Sequence, residues 1–328
     1  MNVTRKIKLF LSQSKEVSNK LKKEKGKSKI STFIDLVNCS RKYRTSPHNY
    51  EVMGFADLTK EQRKTYFTFS DSIAMMEKYN SKKHEAIFYN KFIFSKVFSE
   101  FFGRKCVITN YLTEEDFEKF MEGETKIVYK PVNAAQGKGV EVLDLCDFEN
   151  LKELYNYVMT LPNGILETWI TQHSSISSLY PHAVNPIRIN TVLDGDKMHV
   201  MTSTLSIGHN SKIANASINA LFALVDPKTG EVLTDACDYN GGVYKKHPET
   251  DAEFKGFQIP FWKETLEMLE KATRTMYQVR YVGWDIAITE NGPILIEGNN
   301  DPGYLGFQLP LFVNGEGTRK LYEKFLTK

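Results

Sequence analysis

Residues 281–300, YVGWDIAITENGPILIEGNN, constrain this chain more than any other stretch. Two apolar runs, 282–288 and 293–296, flank Glu290-Asn291-Gly292, a pattern that reads as a β-hairpin with one buried face. Asp285 lies inside the first run, Glu297 closes the second, and Asn299 follows two residues on. Side chains alternate along an extended chain, so these three oxygen donors can share a face. Carboxylates at the ends of buried strands are costly unless neutralised. A Lys or Arg partner does that, and so does a hard divalent cation such as Mg²⁺, which binds through one or two carboxylates plus substrate phosphates.

The remaining sequence supplies the partners. In 126–144, KIVYKPVNAAQGKGVEVLD, a strand, a glycine-containing turn and a second strand follow one another, and Lys130 is the odd cation in the first strand. Gln136-Gly137-Lys138-Gly139 offers backbone N–H groups without side-chain obstruction, which suits phosphate oxygens, but a glycine hairpin turn explains it equally well. It is not a Walker loop, which needs a longer spacing and a Ser or Thr after the Lys. Residues 164–170, GILETWI, read as a strand leading into Thr171-Gln172-His173, and 187–193 and 198–207 as strands joined by an Asp194-Gly195-Asp196 turn. Arg188 sits mid-strand, so it is either paired with an acid or set to meet an anionic ligand. Further strands follow at 215–225, and a long amphipathic helix at 260–279 precedes the hairpin.

Helical sequence dominates residues 31–83, and 85–102 reads as one helix ending at Gly103, followed by a short strand at 104–109. Antiparallel hairpins outnumber other connections, which argues for an α+β enzyme rather than a doubly wound sheet. The domain reading is a basic, mostly helical region at 1–84, a small subdomain with the glycine loop at 85–165, and a large subdomain with the acids at 166–328.

Charge is uneven. Residues 1–45 hold 13 Lys or Arg against 3 Asp or Glu, a net +10, whereas the whole chain carries +3, leaving −7 on 46–328. A basic arm of this kind is either a solvated helix or a contact for a membrane surface, an acidic glycan or another polyanion. Ile7, Leu9, Phe10, Leu11, Val17 and Leu21 give it a partial apolar stripe. No RNA-binding signature is present, no run is long enough to cross a bilayer, and no secretory signal is visible, so a cytoplasmic location is expected. The four cysteines, Cys39, Cys106, Cys146 and Cys237, lack any paired spacing and predict neither a zinc site nor a disulfide framework.

The order of these features resembles the ATP-grasp superfamily, and LETWITQH, VNPIRINT, the stretch from HPET to GFQIPFW, and VGWDIAITENGPILIEGN resemble its sugar-transfer associated group, over roughly residues 60–310. The resemblance implies two α+β subdomains clamping ATP. It implies that Lys91 and Lys130 bind phosphates, with Lys130 and Arg188 serving catalysis. Residues 136–140, including Gln136, Gly137, Lys138 and Gly139, would form a lid. Glu167, Thr168, Trp169 and Ile170 would line the adenine, with Glu167 accepting from its amino group. Asp285, Glu297 and Asn299 would hold Mg²⁺. Arg188 would meet the γ-phosphate or the carboxylate being activated. Where many relatives carry a ribose-binding acid, this chain has Thr171, Gln172 and His173, leaving Gln172 or His173 as substitutes, or His173 as a structural residue. Asn215, Asn219, Tyr239, Asn240 and Arg280 are candidates around a second substrate.

The activity so implied is that of an ATP-dependent carboxylate–amine ligase working through an acyl phosphate on a sugar, glycan-precursor or amino-acid carboxylate in cell-surface polysaccharide biosynthesis. Two alternatives are a kinase on the same scaffold acting on a sugar or inositol hydroxyl, and a nucleotide-binding partner of the polysaccharide machinery without turnover.

Overall fold

The computed structural model describes residues 3–132, 138–210 and 220–327. The chain forms two compact units: residues 1–78, 239–242 and 303–328 make one, and 79–238 and 243–302 the other.

The first unit is helical. Helices Val3–Lys25 and Lys29–Tyr43 lead it, the second capped by Ser28, whose side chain accepts from Ser31 N–H. Its core joins Val17, Leu21, Leu36, Cys39, Tyr50, Phe55 and Tyr66. The expected apolar stripe splits in two: Val17 and Leu21 are buried, while Ile7, Leu9 and Leu11 face solvent. Arg63 is buried here, its guanidinium donating to both oxygens of Asp35 at 2.8 Å. Residues 303–328 read from sequence as part of the large subdomain, but they pack in this unit. Gln308 is the reason: its side chain accepts from Phe67 N–H and donates to Phe67 C=O, both at 2.8 Å, and Tyr322 lies against the Phe67 ring.

The second unit carries two antiparallel sheets. Strands β1 (Cys106–Ile108), β2 (Lys126–Pro131), β3 (Glu141–Asp144) and β4 (Gly164–Thr168) form the smaller, ordered β1-β4-β2-β3. Strands β5 (Ile187–Asp194), β6 (Lys197–Ile207), β7 (Leu221–Leu224), β8 (Ala236–Cys237), β9 (Val243–Tyr244), β10 (Tyr281–Thr289) and β11 (Gly292–Asn299) form the larger, ordered β11-β10-β5-β6-β7-β8-β9. This is the α+β architecture expected, with every strand pair antiparallel.

Period-two alternation decides what each sheet hides. In the smaller sheet Ile127, Tyr129, Leu143 and Leu166 pack against helices Glu114–Met121 and Leu151–Thr160. In the larger sheet Ile187, Ile189, Leu205, Val282, Trp284 and Ile286 join the aromatic set Phe88, Phe94 and Phe98. The helix expected over 85–102 is three short ones, Ala86–Tyr89, Lys91–Val97 and Ser99–Phe102, because Asn90 turns the chain and its side chain caps Phe92 and Ile93 N–H. A Cβ at Gly298 would come within 2.9 Å of both Phe88 and Phe94, so glycine leaves room for these two rings, which meet edge to face, and for Phe88 to reach Trp284. Among the described residues no helix is long and apolar enough to cross a membrane.

Candidate functional site

The hairpin of β10 and β11 is built as the sequence suggests, except for one irregularity that matters chemically. From the turn inward, Thr289 pairs with Gly292 and Ile286 with Leu295, a register that would next set Asp285 opposite Ile296. A β-bulge between Asp285 and Ile286 takes up Ile296, so Asp285 faces Glu297 instead. On the other side of β10, Asp285 pairs with Arg188 of β5. Residues directly opposite one another share a face. Glu297, Asp285 and Arg188 therefore form one row across three neighbouring strands. Two residues along, Asn299, Gly283 and Asn190 form a second row on the same face.

Arg188 is paired with an acid. Its Nε and Nη2 both donate to the Asp285 carboxylate, Nη2 at 2.7 Å, and Nη1 donates to Pro302 C=O at 3.1 Å. Burial pushes the Asp285 carboxyl above its ordinary value, and the adjacent Glu297 adds to the rise against the pull of Arg188. The Asn299 amide donates to Glu297 Oε1 at 3.3 Å, which leaves its own oxygen as a further donor atom for a ligand. Glu297, Asp285 and Asn299 thus offer hard oxygens from one face, with Arg188 bonded to one of the two acids. That donor set fits a cation such as Mg²⁺.

A second cluster hangs from the smaller sheet. Val128 sits opposite Glu167, and Lys130, two residues on, shares its face; Lys130 Nζ donates to Glu167 Oε2 at 2.6 Å. Arg104 reaches the same oxygen through Nε at 2.7 Å. The rest of its guanidinium donates to three carbonyls, Phe102 at 3.0 Å, Leu295 at 2.7 Å and Ile296 at 3.0 Å. The last two belong to the bulged part of β11. One buried Arg, its side chain 2% exposed, thereby ties Glu167 to the strand that carries Glu297. Burial alone would raise the Glu167 carboxyl, but Arg104 and then Lys130 overcome it and hold it down at about 2. Lys91, first residue of its helix, belongs to this cluster: burial lowers its affinity for a proton, Glu297 and Glu167 oppose that, and Lys130 adds to it. Helix, small sheet and large sheet bring Lys91, Lys130, Arg104 and Arg188 together with Glu167, Glu297 and Asp285, four cations to three anions.

The other expected site residues lie as follows. The Glu167 side chain, expected to accept from an adenine amino group, is turned to Arg104 and Lys130 and is fully buried. Arg188 is engaged by Asp285. His173 caps the helix Ser174–Leu179, its Nδ1 accepting from Ser175 N–H at 3.2 Å, and its Nε2 lies 3.4 Å from Glu290 of the hairpin turn. Gln172 donates to Ala183 C=O at 2.8 Å and accepts from Asn185 N–H at 3.0 Å. Both therefore have structural work. Thr168 Oγ1 accepts from Lys105 N–H, Trp169 N–H donates to Lys126 C=O, and Lys126 lies over the Trp169 ring, while Ile170 is half-buried beyond the end of β4. Lys138 is exposed, and Gly139 has φ +69°, the left-handed conformation that suits a turn glycine. Gln136 and Gly137, like Asn215 and Asn219, lie outside the described residues. Tyr239 and Asn240 belong to the first unit, and Arg280 stacks on Tyr79 in the second. Sequence reasoning passed over Arg104. Its only signal is an Arg directly after the helix-ending Gly103, a place where surface cations are common.

Among solved structures, the chain is similar to the ATP-grasp ligase PsnB complexed with a minimal precursor, at 14% identity and a TM-score of 0.44, covering 75% of this chain and 64% of that one. It is also similar to D-alanine-D-alanine ligase from Helicobacter pylori, at 17% identity and a TM-score of 0.42, covering 73% and 60%. The chain thus spans under two thirds of either protein. No curated protein matches. The model of the sugar-transfer associated ATP-grasp family matches residues 70–326, which takes in both sheets, the acid row and the Lys130 cluster, and the chain belongs to that family.

Proposed function

We propose that the chain is an ATP-dependent ligase that joins a carboxylate to an amine through an acyl phosphate, with Mg²⁺ held by Asp285, Glu297 and Asn299. The observation that carries this reading is the row Glu297, Asp285 and Arg188, in register on three strands, with Lys91 in electrostatic reach of Glu297. When bound, the metal supplies positive charge against phosphate oxygens. Lys91 and Lys130 bind those oxygens, and Glu167 aims Lys130 by holding its ammonium from one side. Arg188 fixes the direction of the Asp285 carboxylate and adds a cation to the face where phosphate charge is transferred. An oxygen of the substrate carboxylate attacks the terminal phosphorus and ADP leaves; the amine then attacks the acyl carbon, phosphate leaves, and the amine gives up a proton. No protein nucleophile is required, so positioning and electrostatics carry the reaction.

The family's association with sugar transfer supports a carboxylate on a glycan precursor, or an amino acid joined to one, as the substrate class. We infer also that the protein acts in the cytoplasm, with the helix Val3–Lys25 touching an anionic membrane surface through its cations and the exposed Ile7, Leu9 and Leu11. The deciding experiment crosses a panel of carboxylates with a panel of amines, scoring ADP release and product mass. Amide product with one ADP per bond is expected. A stable phosphate ester on a hydroxyl, formed without any amine, would make the chain a kinase. ATP binding with no ADP from any pair would make it a non-catalytic binder.

A further inference from the structure

Away from the acid row, two segments of the second unit converge on a second set of metal-binding side chains. His209 follows the end of β6, and His247-Pro248-Glu249 lies in the connection after β9. One ligand atom from each of His209, His247 and Glu249 lies within 4.8 Å of the others. We infer that these three residues form a site for a single borderline transition-metal ion, best suited to Zn²⁺, separate from the nucleotide site.

The argument rests on how each ligand is held. His247 is fully buried, and its Nε2 stands 2.8 Å from Gly208 C=O, so that nitrogen carries the proton and donates it. This fixes the tautomer and leaves Nδ1 with a lone pair, the outer-shell arrangement that metal-binding histidines use. Nδ1 accepts only a long 3.2 Å contact from Glu249 N–H. His209 Nδ1 lies 2.9 Å from Glu249 Oε1. Ligands of a tetrahedral Zn²⁺ at 2.0–2.1 Å sit about 3.3 Å apart, so this pair parts by only a few tenths of an ångström on taking the ion, and His247, within 4.8 Å of both, closes by up to about 1.5 Å. The other His209 nitrogen, Nε2, is 3.1 Å from the Asn210 side-chain amide, which can present either its oxygen or its nitrogen and so accepts either tautomer. Glu249 Oε1 is held in place by Asn210 N–H at 2.9 Å. Two nitrogens and one carboxylate oxygen, with water in the remaining position, suit Zn²⁺ better than Mg²⁺, which prefers oxygen and octahedral geometry. His209 and Glu249 side chains are 22% and 32% exposed, so the ion has an entry path and the open position faces solvent.

Full-length protein stripped with chelator and titrated with Zn²⁺ against a chromophoric competitor tests this. Millimolar Mg²⁺ is kept present, and the Glu297→Gln variant is run alongside to remove the acid row as a binder. One equivalent of Zn²⁺ bound by both proteins is expected, with affinity falling at least about tenfold in His209→Gln and in Glu249→Gln. Both substitutions are at partly exposed positions, so folding is checked by tryptophan emission. Co²⁺ in place of Zn²⁺ should give the strong visible bands of a low-coordinate site, lost in the same two variants. No bound equivalent in the wild type overturns the inference. So does an equivalent that survives both substitutions, or one that disappears in Glu297→Gln alone.

Discussion

Replacing Arg104 with Met tests the frame that joins the two sheets. The change keeps length and apolar bulk while removing a guanidinium whose side chain is 2% exposed and which donates to Glu167 and to the Phe102, Leu295 and Ile296 carbonyls. Two routes give its cost. Breaking a buried ion pair by deleting one partner costs about 3–5 kcal/mol, because the remaining charge stays buried. Independently, Glu167 is held from 4.5 down to about 2 against the cost of its burial. At about 1.4 kcal/mol per pKa unit, the charged form is favoured by a net of about 3 kcal/mol after burial is offset, so the two cations, Arg104 first, together supply more than that. The sign follows directly. A carboxyl depressed in the folded state gives stability that is present above about pH 4.5 and lost as pH falls toward 2. All three tryptophans, Trp169, Trp262 and Trp284, lie in the second unit, so emission during urea unfolding reports that unit alone. Expected are a loss of about 3–5 kcal/mol for Arg104→Met near pH 7 and a much smaller further loss when Glu167→Gln is added, since the neutral amide no longer needs a cation. A double variant whose cost equals the sum of the two singles within about 0.5 kcal/mol would refute the coupling.

Glu297→Gln should cut ADP formation by orders of magnitude while leaving the melting temperature unchanged or raised, because it removes the acid that repels Asp285; full ADP formation would move the metal site elsewhere. Gly298→Ala places a methyl 2.9 Å from the Phe88 and Phe94 rings and should destabilise the second unit by about 1–3 kcal/mol in the same urea assay, with wild-type stability counting against the packing argument. The N-terminal helix should sediment with vesicles containing anionic lipid and not with neutral ones. Binding should weaken at 1 M salt, where the screening length is about 3 Å, and in a variant carrying Asp at both Ile7 and Leu11; equal binding to neutral vesicles would exclude the electrostatic part.

The sequence carries some of this site and hides the rest for definable reasons. Alternation and the Glu290-Asn291 turn suffice to read β10 and β11, because a hairpin is a local structure whose signals lie within a few residues. The same reading puts Glu297 and Asn299 on one face, since both lie in one strand. It lets Asp285 join them without deciding that it does. That needs the register between strands, and the unbroken register from the turn would have opposed Asp285 to Ile296. The bulge decides the matter, and no residue type marks it: Ile296 is an ordinary β-branched strand residue. What sustains the bulge lies far off in the chain, since the carbonyls of Leu295 and Ile296 are satisfied by Arg104, about 190 residues earlier. Arg104 in turn is held by Glu167, which also orients Lys130. The order of inference therefore runs opposite to the order of legibility. Acids were visible first, yet their convergence depends on a cation that looked like a surface residue. Arg188 shows the same limit: an Arg in mid-strand announces an anion, but whether that anion is a ligand or Asp285 is a question of pairing across strands, which only the fold answers. If that chain of dependence is right, Arg104→Met should weaken metal binding at the acid row as well as stability, because freeing the Ile296 carbonyl removes the reason for Asp285 to face Glu297. A stable Arg104→Met protein with unaltered Mg²⁺ affinity would show that the bulge holds itself.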